Sequence, residues 1–305
     1  MWYKNAWYEV IWNCDIDKAM IDVYKKNHKP KYSFAMWIWE FNKLDEIPQE
    51  LFNIDILDWS PPCSTFSTSW LREKAWWKLK HFKEWQEKQV LDDLFFDFLD
   101  TVALLKPKVV IAENVSWMLK GNAKWYVKMI ARKFDELWYD LQIFLLNGAS
   151  MWLPQKRERV FFCAAKKEFK LPKLKIIFNE PPVIFKEIDE GIISNPQKPS
   201  NAYIPYWKIC KPWKNLSTVH PKWHFFNQYK VSPYDVCNTI ATQWQIIHHT
   251  QCRVLTKWEI EKIWSYPSDY DYNWVKPKYL IWMSVPPLMM YKLSKEIEKQ
   301  WLSKI

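Results

Sequence analysis

Three glycines in 305 residues leave a chain few ways to turn. Tight turns and helix ends use left-handed backbone, which glycine enters without steric cost. An ordinary protein is about 7% glycine, which would be about 21 residues here. Tryptophan instead occurs 23 times. A mixed fold of this length is hard to build from such a composition, so the places where tryptophan stands at expected turns need an explanation.

The hydrophobic pattern nevertheless asks for turns. "YEVIWNCDID" (Tyr8–Asp17) and "LFNIDILD" (Leu51–Asp58) read as strands ending in acidic residues. Residues 86–106 read as a helix, with Val90, Leu94, Phe95, Phe98 and Val102 on one face. "KVVIAEN" (Lys108–Asn114) is a short β-branched run, as in a strand covered on both faces. Residues 122–137 are again helical, with Val127, Ile130, Phe134 and Leu137 in phase, and "YDLQIFLLN" and "RVFFCAA" are further strands. Strands alternating with helices predict an α/β fold with a mostly parallel sheet. After about Lys166 prolines become frequent and periodicity weakens. Residues 166–250 hold twelve lysines, no arginine and six acidic residues. An amphipathic helix beginning near Pro287 closes the chain.

The formal charge of +10 favours a polyanionic partner such as nucleic acid. No apolar run approaches the roughly 20 residues of a membrane span, and no secretory signal is recognisable at the start. The six cysteines (Cys14, Cys63, Cys163, Cys210, Cys237, Cys252) form no Cys-x-x-Cys pair, which argues against a zinc or thioredoxin site. His220 and His224 have metal-like spacing, but Pro221 opposes a helical zinc pair. No metal is expected.

Reactive groups gather at strand carboxyl ends, where α/β sheets place function. The strand ending at Asp58 leads into Pro61, Pro62 and Cys63, and the next leads into Glu113, Asn114 and Val115. "PQKRERVFF" puts Gln155, Arg157 and Arg159 at alternate positions, hence on one face. Each has a plainer reading: a buried thiol, a turn, surface cations.

"PPCSTFS", "AENV" and "PQKRERV" stand in the order and approximate spacing of the DNA (cytosine-5) methyltransferases, especially bacterial and phage ones. "CNTI", "RVLTKWEIEKIWSYPSDY" and "WMSVPPLMMYKLSKEI" resemble that family's last blocks, so the likeness runs the length of the chain. It implies an α/β, Rossmann-like, S-adenosylmethionine-dependent methyltransferase sheet with a smaller irregular target-recognition domain. The implied division is catalytic for residues 1–165, target recognition for 166–250, and a return to the catalytic domain for 251–305. Cys63 would add to carbon 6 of a flipped cytosine in double-stranded DNA, Glu113 would hold its N3 and amino edge, and Arg159 its O2. Gln155 and Arg157 would hold the site and the catalytic loop. Asp15 would bind the cofactor ribose, Ile16 the adenine, and Pro62, Ser284 and Val285 would line the cofactor pocket. The resemblance also implies a monomer in the bacterial cytoplasm, encoded by the bacterium or a phage and serving restriction-modification, phage self-protection or regulation. The alternatives are an inactive homologue that only binds DNA and an RNA cytosine-5 methyltransferase. A cysteine hydrolase is more distant, since His81 is the only nearby base in sequence.

The chain departs from the family in several places. The usual opening strand and Phe-x-Gly-x-Gly loop are missing, which suggests that Met1 is internal to a longer protein; upstream genomic sequence tests this. The segment "AMWIWEF" lacks the family's second acidic cofactor contact near Trp37, and Met283 replaces a common asparagine. Tryptophan stands at family glycine positions at Trp7, Trp59, Trp70, Trp77, Trp117, Trp125, Trp138, Trp152 and Trp282, whereas Trp213, Trp223 and Trp301 fit as tryptophan. Decoding UGA as tryptophan in a gene that uses it for glycine would produce this swap.

Overall fold

The computed structural model describes residues 8–61, 94–121, 123–240 and 245–305. Cys63, Pro62 and His81 lie outside the described residues, as do Trp7, Trp70 and Trp77. The chain divides into two compact units. One comprises residues 7–146, 158–176 and 294–305; the other comprises 1–6, 147–157 and 177–293.

The first unit carries the four-stranded sheet and a two-stranded ladder. It runs β1 (Trp12–Asp15), α1 (Lys18–His28), β2 (Tyr32–Ala35), α2 (Ile38–Phe41), β3 (Ile56–Trp59), α3 (Leu94–Leu105), β4 (Val109–Val115), α4 (Ala123–Glu136), β5 (Tyr139–Asn147) and β7 (Glu158–Lys166). Between β5 and β7 the short β6 (Gln155–Lys156) falls in the other unit. β1 and β2 pair in parallel as one ladder. The second has the order β3-β4-β7-β5. The sheet is less uniformly parallel than the strand–helix alternation predicts: β3 and β4 are parallel, but β7 runs antiparallel to β4. The connection from β5 to β7 explains this, because it is a turn and a loop without a crossover helix.

β4 is buried along its whole length: the apolar run Val109–Ala112 predicts this for its first part, and Glu113 and Asn114 are buried with it. Its even positions, Val110 and Ala112, face a core that takes in Val160, Phe162 and Ala164 from β7. The helices add Leu94, Phe95, Phe98, Leu99 and Val102 from α3, and Tyr126, Ile130 and Phe134 from α4. Full burial of each such side chain stabilises the fold by about 1.5–3 kcal/mol. The odd positions of β4 and β7, among them Glu113 and Arg159, lie on the opposite face.

The second unit is irregular, as the weak periodicity predicts. Its elements are β6, α5 (Ile204–Ile209), β8 (Gln228–Lys230), β9 (Cys237–Asn238), β10 (Gln245–Ile247), α6 (Lys257–Trp264) and α7 (Pro277–Met283). α8 (Pro287–Gln300) begins in this unit and ends in the sheet unit. A small core of Cys210, Leu216 and Ile247 is ringed by Tyr203, Tyr206, Trp207 and Phe225. Polar contacts supply much of the remaining order. Arg253 grips Glu259 through two 2.7 Å bonds, with both side chains fully buried.

Candidate functional site

The parallel pairing of β3 and β4 brings their carboxyl ends out together, with Trp59 opposite Ala112. The next residues on each side are Ser60-Pro61 and Glu113-Asn114. Asn114 joins the two: its Nδ2 donates to the Pro61 carbonyl at 3.5 Å, while its Oδ1 accepts the Val115 N–H at 2.8 Å. The chain that leads to Cys63, two residues after Pro61, therefore leaves the sheet beside Glu113.

Glu113 meets Arg159 because of register. Val115 sits opposite Arg159 and Glu113 opposite Phe161, which makes Glu113 and Arg159 diagonal neighbours on one face. Arg159 Nε lies 2.8 Å from Glu113 Oε1, with side chains 15% and 10% exposed. Arg159 Nη1 also donates to the Glu158 carbonyl at 2.8 Å. Among the described residues, no further partner is recorded for the second Glu113 oxygen or for Arg159 Nη2.

The five described cysteines are poorly placed to act as nucleophiles. Burial raises the thiol pKa at Cys14, Cys163, Cys210, Cys237 and Cys252, to about 12 at Cys14. A nucleophilic cysteine needs the opposite shift, toward thiolate.

Asp15 ends β1, and Asp17, not Asp15, caps α1 by accepting the Ala19 N–H at 2.9 Å. Asp15 Oδ1 takes the Asp17 N–H at 2.7 Å. Its side chain is exposed to solvent, yet burial among neighbouring protein atoms pushes its carboxyl up to about 6. The direction marks a carboxylate short of donors. Its second oxygen fits a pair of hydroxyls such as a ribose presents. Ile16 follows, half-buried.

Gln155 and Arg157 belong to the other unit. There Arg157 is 3% exposed, donates through Nη2 to the Ser284 carbonyl at 3.1 Å, and stacks 5.0 Å from the Trp264 ring centroid. Ser284 Oγ donates to the Ile281 carbonyl at 2.7 Å at the end of α7, and Val285 follows, half-buried. Gln155 is fully buried on β6, and among the described residues its amide oxygen and nitrogen have no partner. The alternation of Gln155, Arg157 and Arg159 holds as predicted, with Lys156 and Glu158 exposed between them. The two arginines nonetheless do different work, since Arg159 goes to Glu113 and Arg157 to Ser284. Asn114 and Trp264 were not singled out in the sequence. Asn114 carried a signal in its motif; Trp264 carried none beyond its place on a helical stripe.

One group among the described residues could hold a metal ion: Asp189, His248 and His249. His248 Nδ1 faces the backbone N–H groups of Thr250 and Gln251 at 3.3 and 3.2 Å, so it acts as an acceptor. The ring proton then sits on Nε2 and goes to Asp189 Oδ1 at 2.8 Å. His249 Nε2 meets Asp189 Oδ2 at 2.8 Å. A metal bond at His248 Nε2 would displace that proton, so the arrangement is a hydrogen-bonded lock. His220 is similarly engaged, its Nδ1 accepting the Lys222 N–H at 3.1 Å.

Comparison with known proteins matches residues 2–299 to the family described as C-5 cytosine-specific DNA methylase. The type II methyltransferase M.FnuDI of Fusobacterium nucleatum is 28% identical over 55% of this chain and 44% of its own length. M.NgoPII of Neisseria gonorrhoeae is 26% identical over 65% and 56%. The chain thus spans about half the length of these curated relatives. M.DdeI of Desulfomicrobium norvegicum is 27% identical over 80% of this chain and 72% of its own. Among solved structures, a putative DNA modification methyltransferase encoded within an Escherichia coli prophage superposes with a TM-score of 0.69 at 17% identity, covering 98% of this chain and 94% of that one. A Spodoptera frugiperda DNMT2 variant gives 0.64 at 16%, covering 97% and 95%. These two likenesses show the fold, a mixed α/β architecture.

Proposed function

Because this chain belongs to the C-5 cytosine-specific DNA methylase family, we propose that it methylates carbon 5 of cytosine in double-stranded DNA. The observation that carries the reading is the Glu113–Arg159 pair, set at a strand end beside the segment that leads to Cys63.

The target carbon is inaccessible in a stacked duplex, so the cytosine is flipped out of the helix. The Cys63 thiolate adds to carbon 6. A carbon–sulfur bond forms and the ring double-bond electrons move to carbon 5, which becomes enamine-like. The free oxygen of Glu113 holds the N3 and amino edge, where charge changes as sulfur adds. The remaining N–H donors of Arg159 hold O2, and the Glu113 contact keeps its guanidinium aimed. S-adenosylmethionine, when bound, supplies an electrophilic methyl group. Asp15 fits its ribose hydroxyls, with Ile16, Pro62, Ser284 and Val285 as further lining. Loss of the carbon 5 proton and of the Cys63 thiol restores the aromatic base. Gln155 and Arg157 support the site, Arg157 through the Ser284 carbonyl.

The lysines of residues 166–250 suit phosphate contact, so target recognition is assigned there, with 1–165 catalytic and 251–305 returning to that domain. A monomer in the bacterial cytoplasm suits this reading. Among the described residues no helix is long and apolar enough to cross a membrane. Base-resolution mapping of 5-methylcytosine in host DNA tests the proposal. Methylation by the unaltered protein and none with Cys63→Ser is expected. Undiminished methylation with Cys63→Ser overturns it.

A further inference from the structure

We propose that Trp138, Trp152, Trp213 and Trp223 are glycines in the cell that makes this protein, encoded by UGA codons that this cell reads as glycine. The inference rests on backbone geometry and is independent of the catalytic reading.

All four have left-handed backbone, with φ of 66°, 60°, 66° and 53° respectively. In that region the Cβ of an L-residue collides with its own carbonyl, and a bulky residue there is an outlier. Among the described residues ten non-glycines have positive φ, and four of them are tryptophan. Tryptophan makes up 23 of 305 residues, far too few to expect that share. It is also among the least suited residues to such positions, whereas asparagine, the usual substitute for glycine, supplies only Asn273.

The local hydrogen bonds ask for glycine in turn. Trp152 occupies the left-handed place in a turn closed by the Leu153 N–H on the Gly148 carbonyl at 3.0 Å, the six-to-one bond of a helix terminator. Trp138 follows α4, whose last turn closes with Leu137 N–H on the Lys133 carbonyl at 3.0 Å. Trp213 and Trp223 use only their backbone N–H groups, to the carbonyls of Lys230 at 2.8 Å and His220 at 3.0 Å. Glycine would keep every one of these bonds.

The side chains offer little in exchange. The four are 65%, 54%, 50% and 66% exposed. Lys167 lies over the Trp138 ring and Lys292 over the Trp152 ring, contacts whose value at an exposed site is below the strain. Other tryptophans are used as tryptophan. Trp301 is 2% exposed, has φ of −120°, and donates its indole N–H to the Pro172 carbonyl at 2.8 Å. Trp264 is fully buried on α6 under Arg157. Trp213 and Trp223, which the sequence pattern places with Trp301, therefore belong with Trp138 and Trp152. Trp59 stacks on Phe98, and Trp125 and Trp282 lie within α4 and α7, so backbone geometry adds nothing to the case for those three.

Peptide masses of the protein purified from its source cells test the proposal. Glycine at positions 138, 152, 213 and 223, with tryptophan at 264 and 301, is the expected result. Tryptophan at any of the four overturns it, and so does a UGG codon there. Glycine at 264 or 301 overturns the structural criterion. Thermal unfolding of recombinant protein gives a second reading. Trp→Gly at each of the four sites raises the midpoint by about 2–4 °C, and Trp301→Gly lowers it. A lowered midpoint at the four sites defeats the geometric argument.

Discussion

Glu113 and Arg159 differ from an ordinary surface ion pair in burial and in what they leave open. Glu113→Gln keeps the shape and removes the charge that aims Arg159. It is expected to slow methylation about 10²–10³-fold, measured as single-turnover rates on duplex DNA, with thermal unfolding as a control for folding. Asp15 makes a prediction about pH. Its folded carboxyl is raised from 3.8 to about 6, chiefly by burial. A raised carboxyl contributes stability below its unfolded value, and that stability is lost as pH rises through about 6. Asp15→Asn is therefore expected to stabilise the protein at pH 8 relative to the parent, with the gain gone at pH 4, followed by unfolding at both. The same change weakens cofactor binding at pH 8, read by titration calorimetry. Glu113 was legible in the sequence because a carboxylate ending an apolar strand has no packing purpose. Asn114 was harder to read, since its value is a contact with Pro61, 53 positions away, that no local pattern encodes.

Among elements, the clearest reading was β4, whose apolar run Val109–Ala112 suits a strand covered on both faces. α4 was equally plain, because its pattern holds one period throughout. The antiparallel course of β7 was not legible, since direction depends on the connection and the residues on either course look alike. The Asp189, His248 and His249 lock was hidden for the same reason, its members lying about 60 positions apart. Its chemistry is sensitive to acid. Burial alone would raise the Asp189 carboxyl, but bonds from His248, His249 and the Gly191 N–H hold it below the usual range. Burial lowers His248, which favours the neutral ring. Both depressed groups give up stability as pH falls through their folded values. Acidification below about 6.5 should loosen this unit first, seen as early loss of hydrogen-exchange protection at β10. The Arg253–Glu259 pair gives the larger effect. Arg253→Ala strands a buried carboxylate and is expected to cost about 3–5 kcal/mol in denaturant unfolding. The double change Arg253→Met with Glu259→Leu should cost much less, because no charge is left alone.

For the whole molecule, the charge of +10 and the lysine-rich stretch 166–250 set the expected response to salt. Binding to duplex DNA should weaken linearly with the logarithm of salt concentration, by about 0.9 per phosphate neutralised. Replacing one phosphate-contacting lysine should reduce that slope by about one. A titration series at several salt concentrations measures both. Composition changes once along the chain, at about Lys166, whereas the compact units interleave, residues 147–157 clustering with 177–293. Composition cannot report such threading, because nearness in space leaves no mark on local residue choice. The left-handed tryptophans carry a consequence for inheritance. A gene whose turns depend on one codon meaning glycine is confined to cells that share that meaning. Where UGA ends translation the message yields a fragment, and where it means tryptophan the product is strained at Trp138, Trp152, Trp213 and Trp223. The backbone angles of a few turns would hold this gene to its own lineage.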